Sequence, residues 1–168
     1  MAPKASAQPS DPDRRRLMTH RSDGRVQLNL SSRFENIELA ERCLLDLLED
    51  TGLRDSDTEY WLLTALRESL ANAIRHGNQQ NPELRVQVEY TLVDDCLTMQ
   101  VVDQGPGFDL DAIPDPTAPE NLLRPSGRGI FYMNQFMDEV DFQTGPDRGT
   151  TVTMKRTIVR EQPKEQHP

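Results

Sequence analysis

The apolar residues of this chain change their period along its length, and that change limits what it can fold into. From Glu35 to Glu49, Ile37, Ala40, Leu44, Leu47 and Leu48 recur at helical spacing. Leu63, Leu66, Leu70 and Ala73 do the same in a second, longer helix expected from Ser56 or Asp57 to about His76. Val86, Val88, Tyr90 and Leu92 then alternate with polar residues. Leu97, Met99 and Val101 alternate after an Asp94-Asp95 turn, which makes a hairpin. A period of 3.6 buries one stripe of a helix, and a period of 2 buries one face of a strand. Helices that each have one apolar stripe, and strands that each have one apolar face, are satisfied together by a layer of helices on a sheet.

The remaining elements fit that plan. Val26, Leu28 and Leu30 predict a half-buried first strand, after which Ser31 or Ser32 can cap the first helix. Gly52 ends that helix, and Gly77 is placed to cap the second. Another helix restarts near Gly129 with Ile130, Met133 and Met137 inward. Val140 and Phe142 mark a strand, Pro146-Asp147-Arg148-Gly149 a turn, and Val152 and Met154 a last strand in a stretch rich in β-branched residues. The order is strand, two helices, hairpin, loop, helix, hairpin, a two-layer α/β sandwich. One folded unit is expected over 23–158, between flexible tails at 1–22 and 159–168. Both tails are too poor in large apolar groups to offset the entropy of ordering. In the N-terminal tail, Arg14-Arg15-Arg16 reads as a solvated charge run.

Composition excludes several functions. A net charge of −9 disfavours general nucleic-acid binding, because phosphates are repelled. No apolar run has the length of a membrane span, and no apolar segment follows the N-terminal basic residues as a secretory signal requires. Cys43 and Cys96 stand alone, with no CxxC and no clustered histidines. They are expected to be reduced thiols of a cytosolic protein.

The chemistry is concentrated in Arg67-Glu68-Ser69-Leu70-Ala71-Asn72-Ala73-Ile74-Arg75-His76-Gly77. Glu68, Asn72 and His76 are four apart, so on a helix they form one polar stripe opposite the apolar one. Trp61 lies on the same stripe two turns earlier, where packing against a neighbour is expected. A neutral amide oxygen such as that of Asn72 can fill one position on Mg²⁺, leaving phosphates as the anionic ligands. The carboxylate of Glu68, one turn away, can accept a proton from an attacking hydroxyl or water. Asp103 ends a predicted inner strand and enters Gly105-Pro106-Gly107, where a buried carboxylate can accept a hydrogen bond from an exocyclic amine such as adenine N6. Ser126-Gly127-Arg128-Gly129 opens a helix whose first N–H groups can receive phosphate, with Arg128 or Arg124 adding charge. The proline-rich stretch from Asp109 to Ser126 would be a lid. Gly149-Thr150-Thr151 places a hydroxyl at a strand start. His76 is expected to close the helix end with Gly77 and Asn78.

In this order, Glu68-xxx-Asn72-xxx-His76-Gly77, Asp103-x-Gly105-x-Gly107, Gly127-x-Gly129 and Gly149-Thr150 resemble the superfamily of gyrase, heat-shock 90 chaperones, histidine kinases and MutL. The run Gly129-Ile130-Phe131-Tyr132-Met133, followed by Phe136-Met137-Asp138-Glu139-Val140, is similar to the anti-sigma factor serine/threonine kinases within it. The resemblance covers roughly Gly24 to Ile158. It implies a Bergerat ATP-binding sandwich, with a mixed, mostly antiparallel sheet and helices on one face. It implies ATP and Mg²⁺ as ligands, Glu68 as general base, and Asn72 on the metal. Asp103 would read adenine with Thr150 beside it, and Gly105, Gly107, Ser126, Gly127, Arg128 and Gly129 would shape the pocket and lid. It further implies phosphorylation of a serine on a STAS-type anti-anti-sigma partner, sequestration of a sigma factor, and a cytoplasmic homodimer. The chain departs from the pattern in two places. Pro125 separates Arg124 from Ser126, and Arg128 stands at a lid position that is often apolar. Two other readings are a non-catalytic ATP-binding module that only sequesters a regulator, and the catalytic domain of a histidine kinase. The second would need an upstream helix pair with a phospho-accepting histidine, and the only upstream histidine is His20.

Overall fold

A computed structural model describes residues 18–22, 24–53, 56–107, 128–145 and 149–158. Its elements run β1 (Met18–Ser22), β2 (Arg25–Ser31), α1 (Ile37–Asp50), α2 (Ser56–Asn72), a π turn (Ala73–Gly77), β3 (Arg85–Val93), β4 (Cys96–Val102), α3 (Arg128–Phe136), β5 (Glu139–Gly145) and β6 (Gly149–Thr157). The sheet order is β1-β2-β3-β4-β6-β5, and every pairing among these strands is antiparallel. The last strand therefore lies inside the sheet, between β4 and β5.

Alternation along the strands decides which face meets the helices. Val26, Leu28, Leu30, Val86, Val88, Tyr90, Leu97, Met99, Val101, Val152 and Met154 are all buried and join Leu44, Leu48, Leu62, Leu66 and Leu70 of α1 and α2 in one core. Burial of this apolar area is the main stabilising term. Within it the hydroxyl of Tyr90 donates to the carbonyl of Ala40 at 2.8 Å, which satisfies a phenol that would otherwise be costly to bury and fixes β3 to α1. Removing it from water also drives the Tyr90 pKa well above the ordinary tyrosine value.

Four details differ from the sequence expectation: among the described strands the sheet is antiparallel throughout rather than mixed, and three others concern single elements. The buried stripe of α2 is Leu62, Ala65, Leu66, Ser69 and Leu70; Leu63 is only partly covered. The first helix is entered through a short 3-10 turn at Phe34–Asn36 rather than from a serine cap. There Asn36 Nδ2 donates back to the carbonyl and the hydroxyl of Ser31. Met18–Ser22, placed by composition in the N-terminal tail, pairs with β2 as an edge strand. An edge strand needs no apolar face of its own, because its partner supplies the ladder, so composition gave no sign of it.

Candidate active site

The second helix carries the polar stripe. Glu68 and Asn72 are half-buried, one turn apart, and His76 is exposed beyond them. Helix α3 runs antiparallel along this stripe. At its start, a Cβ on Gly129 would fall 2.6 Å from Glu68 Oε2 and 3.4 Å from Asn72 Nδ2. At its end, Phe136 stacks on Trp61 with ring centroids 6.3 Å apart, and the Arg156 guanidinium sits 4.5 Å above the Trp61 ring. Trp61 thus packs against neighbours, as expected of it. Among the described residues, none forms a salt bridge with Glu68.

After Asn72 the helix widens. Asn78 N–H donates to the carbonyl of Ala73, five residues back, at 2.7 Å, and the segment Ala73–Gly77 is a single π turn. Such insertions are common at functional sites because they re-aim the residues that follow. Gly77 does not take the left-handed conformation expected of a cap; Gln79 and Gln80 take it instead, at φ 52 and 58. The need for glycine at 77 is one of space, since a Cβ there would overlap the carboxylate of Asp103.

Asp103 lies just beyond the end of β4 and is only 4% exposed. Its Oδ1 accepts the N–H of Gly105 at 2.9 Å and the N–H of Thr150 at 3.1 Å. Its own N–H donates to the carbonyl of Thr150 at 3.0 Å. Burial raises the pKa of this carboxyl above the ordinary aspartate value, and the two N–H donors oppose that shift. Among the described residues nothing donates to Oδ2. The Thr150 hydroxyl is buried close enough to lower that pKa somewhat, yet makes no hydrogen bond of acceptable geometry. Gly105 packs on the backbone of Gly77, Gly149 on the backbone of Asp103, and Gly107 faces Thr144 Oγ1. A carboxylate oxygen with no described donor and a buried, unpartnered hydroxyl, set among glycines, fit a planar polar heterocycle such as adenine better than a closed core.

The structure therefore brings the sequence-selected residues into two connected groups. Glu68, Asn72 and Gly129 meet at the crossing of α2 and α3. Asp103, Gly105 and Thr150 meet at the end of β4, and Gly107 lies against Thr144 and Gly145 at the end of β5. The segment from Glu68 to Gly77 joins them over roughly 13 Å of helix, the scale of an extended nucleoside triphosphate. Arg128 opens α3, but its side chain lies outside the described residues, as do Arg124, Pro125, Ser126, Gly127 and the stretch expected to form a lid. No group of three or more His, Cys, Asp and Glu side chains converges among the described residues. Asn72 is a single neutral oxygen donor, which suits Mg²⁺ carrying phosphate and water. Sequence reasoning missed Asn78 and Gln104 as parts of the site. Asn78 was read only as a turn residue, and nothing local reveals the tertiary bonds both make.

The fold and this ordered arrangement define a class. The sequence pattern of the histidine kinase-like ATPase domain matches residues 30–156, and the chain belongs to that family. It is 32% identical to the anti-sigma F factor of Geobacillus kaustophilus over 140 residues, 80% of this chain and 93% of that one. It is 27% identical to the serine-protein kinase RsbW of Staphylococcus epidermidis over 144 residues, 82% of this chain and 89% of that one. The match to the Bacillus subtilis anti-sigma F factor is 36% identical over 99 residues, 56% of this chain and 66% of that protein's length. The crystal structure of the RsbU and RsbW domains of Rv1364c from Mycobacterium tuberculosis shares the fold. Its TM-score is 0.60 at 18% identity, over 80% of this chain and 32% of that one. Within the ATPase family, the chain is a member of the anti-sigma factor serine/threonine kinases.

Proposed function

We propose that the chain transfers the γ-phosphate of ATP to a serine of a STAS-type anti-anti-sigma protein and, as an anti-sigma factor, sequesters a sigma factor. The observation that carries this reading is the Asp103 cage. A carboxylate has one oxygen held by two N–H groups and the other facing glycine, with an unpartnered hydroxyl beside it. Asp103 Oδ2 would accept a hydrogen from the amino group of adenine. Asn72 would hold Mg²⁺, which when bound neutralises phosphate charge. Glu68 would take the proton of the incoming serine hydroxyl. No described residue forms a salt bridge that would hold it away from that task. Ser126, Gly127, Arg128 and Gly129 would receive the phosphates at the start of α3. The kinase and anti-sigma roles follow from the names of the relatives. A homodimer in the cytoplasm completes the proposal, and no described helix is long and apolar enough to cross a membrane.

The test is phosphotransfer to a candidate STAS protein, followed by phosphate-affinity gel, for wild type and Glu68→Gln. Glu68→Gln is expected to lower the rate by about 10²-fold or more while leaving ATP affinity within a few-fold. A Glu68→Gln rate equal to wild type refutes the assignment of the base. Capture of the partner with no phosphotransfer by wild type would instead establish the non-catalytic module.

A further inference from the structure

Asn78 is 1% exposed and uses every polar group it has. Its N–H closes the π turn on Ala73 at 2.7 Å, and its carbonyl accepts the N–H of Asn81 at 2.9 Å. Its side-chain Nδ2 donates to the carbonyl of Arg85 at 2.9 Å, and its Oδ1 accepts the N–H of Gln104 at 2.8 Å. Gln104 returns the connection, because its Oε1 accepts the N–H of Arg85 at 2.6 Å. Three segments distant in sequence are thereby held together: the exit of α2, the start of β3 and the turn after β4.

The bond to Gln104 matters most. The N–H of Gln104 belongs to the peptide that follows Asp103, and the N–H of Asp103 belongs to the peptide that precedes it. Thr150 holds the preceding peptide and Asn78 holds the following one. Both backbone torsions of Asp103 are therefore fixed from outside its own turn. The direction of its carboxylate depends on them, and Gly77 and Gly149 pack too closely to allow a second position. Adenine presents an amino donor at its six-position where guanine presents a carbonyl acceptor. A carboxylate aimed correctly accepts from the first and repels the second. An aim that wanders does neither well.

We infer that Asn78 is a positioning residue for base selectivity: it sets the preference for ATP over GTP by fixing the peptide that orients Asp103. This rests on reading Asp103 as the base acceptor. The inference goes beyond that reading by assigning the selectivity to a residue that touches no part of the nucleotide.

The experiment is calorimetric titration of the full chain with ATP and with GTP, each with Mg²⁺. The variants are Asn78→Ala, Asn78→Asp and, as a control for general destabilisation, Leu47→Ala in the buried face of α1. Asn78→Ala is expected to reduce the ATP-over-GTP ratio by about tenfold, the worth of one hydrogen bond to a well-placed group. Asn78→Asp keeps the volume and the acceptor for Gln104 but sets a carboxylate against the Arg85 carbonyl, and reduces the ratio by less. Leu47→Ala leaves it unchanged at the same fraction folded. If Asn78→Ala does not fold, Asn78→Asp decides. A ratio in the folded Asn78 variants equal to that of wild type overturns the inference while leaving Asp103's role intact. A wild-type protein that binds both nucleotides equally overturns the reading of Asp103, and the inference falls with it.

Discussion

Replacing Gly77 by alanine should disable the site, and the structure allows the size of the effect to be worked out against a second glycine. Gly77 has no left-handed backbone, so strain is not the issue there, and a helical alanine would by itself gain about 1 kcal/mol over glycine. Against that gain stands the new methyl, which would overlap the carboxylate of Asp103. The carboxylate cannot easily retreat, because its Oδ1 is held by the N–H groups of Gly105 and Thr150. Overpacking of this kind costs about 1–3 kcal/mol, and loosening a hydrogen bond to a charged group about 1.5–3 kcal/mol more. The net expectation for Gly77→Ala is a loss of roughly 1.5–5 kcal/mol, with ATP affinity lost together with the carboxylate's aim. Gly52→Ala is the contrast. Gly52 has φ 68 but nothing within 4 Å of a would-be Cβ, so only backbone strain of about 1–2 kcal/mol is incurred and nucleotide binding is untouched. Urea denaturation gives both stabilities, and calorimetry with ATP and Mg²⁺ gives both affinities. A Gly77→Ala protein no less stable than Gly52→Ala, with wild-type ATP affinity, would refute the argument that close approach to Asp103 is what demands glycine.

Three further outcomes are expected. Because burial raises the Asp103 pKa above its unfolded value of 3.8, the folded chain binds this proton more tightly than the unfolded chain. Acidification therefore removes the ionised acceptor before ordinary carboxylates titrate, while the stability contribution of Asp103 itself rises. Wild-type ATP affinity should fall on mild acidification with the fold intact, and Asp103→Asn, already weak, should lack that acid limb in the same titration. Tyr90→Phe removes the bond to the Ala40 carbonyl without altering volume and should cost about 1 kcal/mol in urea, with ATP affinity unchanged. Trp61 is the sole tryptophan and stacks on Phe136, at the far end of the helix whose start touches Glu68. Addition of ATP and Mg²⁺ should change its emission, and Phe136→Leu should blunt that change; an unaltered spectrum at saturation would mean that α3 stays fixed.

Much of this fold can be read from periodicity, because β3, β4 and α1 each bury one face and their sequences repeat accordingly. The pairing of Glu68 with Asn72 was legible for the same reason, since four residues make one helical turn. What was not legible depends on partners distant in the chain. The π turn exists because Gly77 and Asn78 meet Asp103 and Gln104, and a local reading assigns Gly77 to an ordinary helix cap. Leu62 and Leu63 are adjacent leucines, and only the angle at which α2 lies on the sheet decides which is buried. The expected β5–β6 hairpin is present, but its place in the sheet, with β6 against β4, follows from the matching of Val101 with Val152 and Met99 with Met154. No feature of either strand alone announces that match.

The insertion of β6 between β4 and β5 has a consequence for how the protein comes into being. Asp103 is caged by Thr150, which leaves the ribosome long after it, so during translation a nascent chain displaying the whole Glu68–Gly77 helix still has no floor for a base. Until the final strand threads into the middle of the sheet, the proposed base pocket of newly made protein would lack one of its walls.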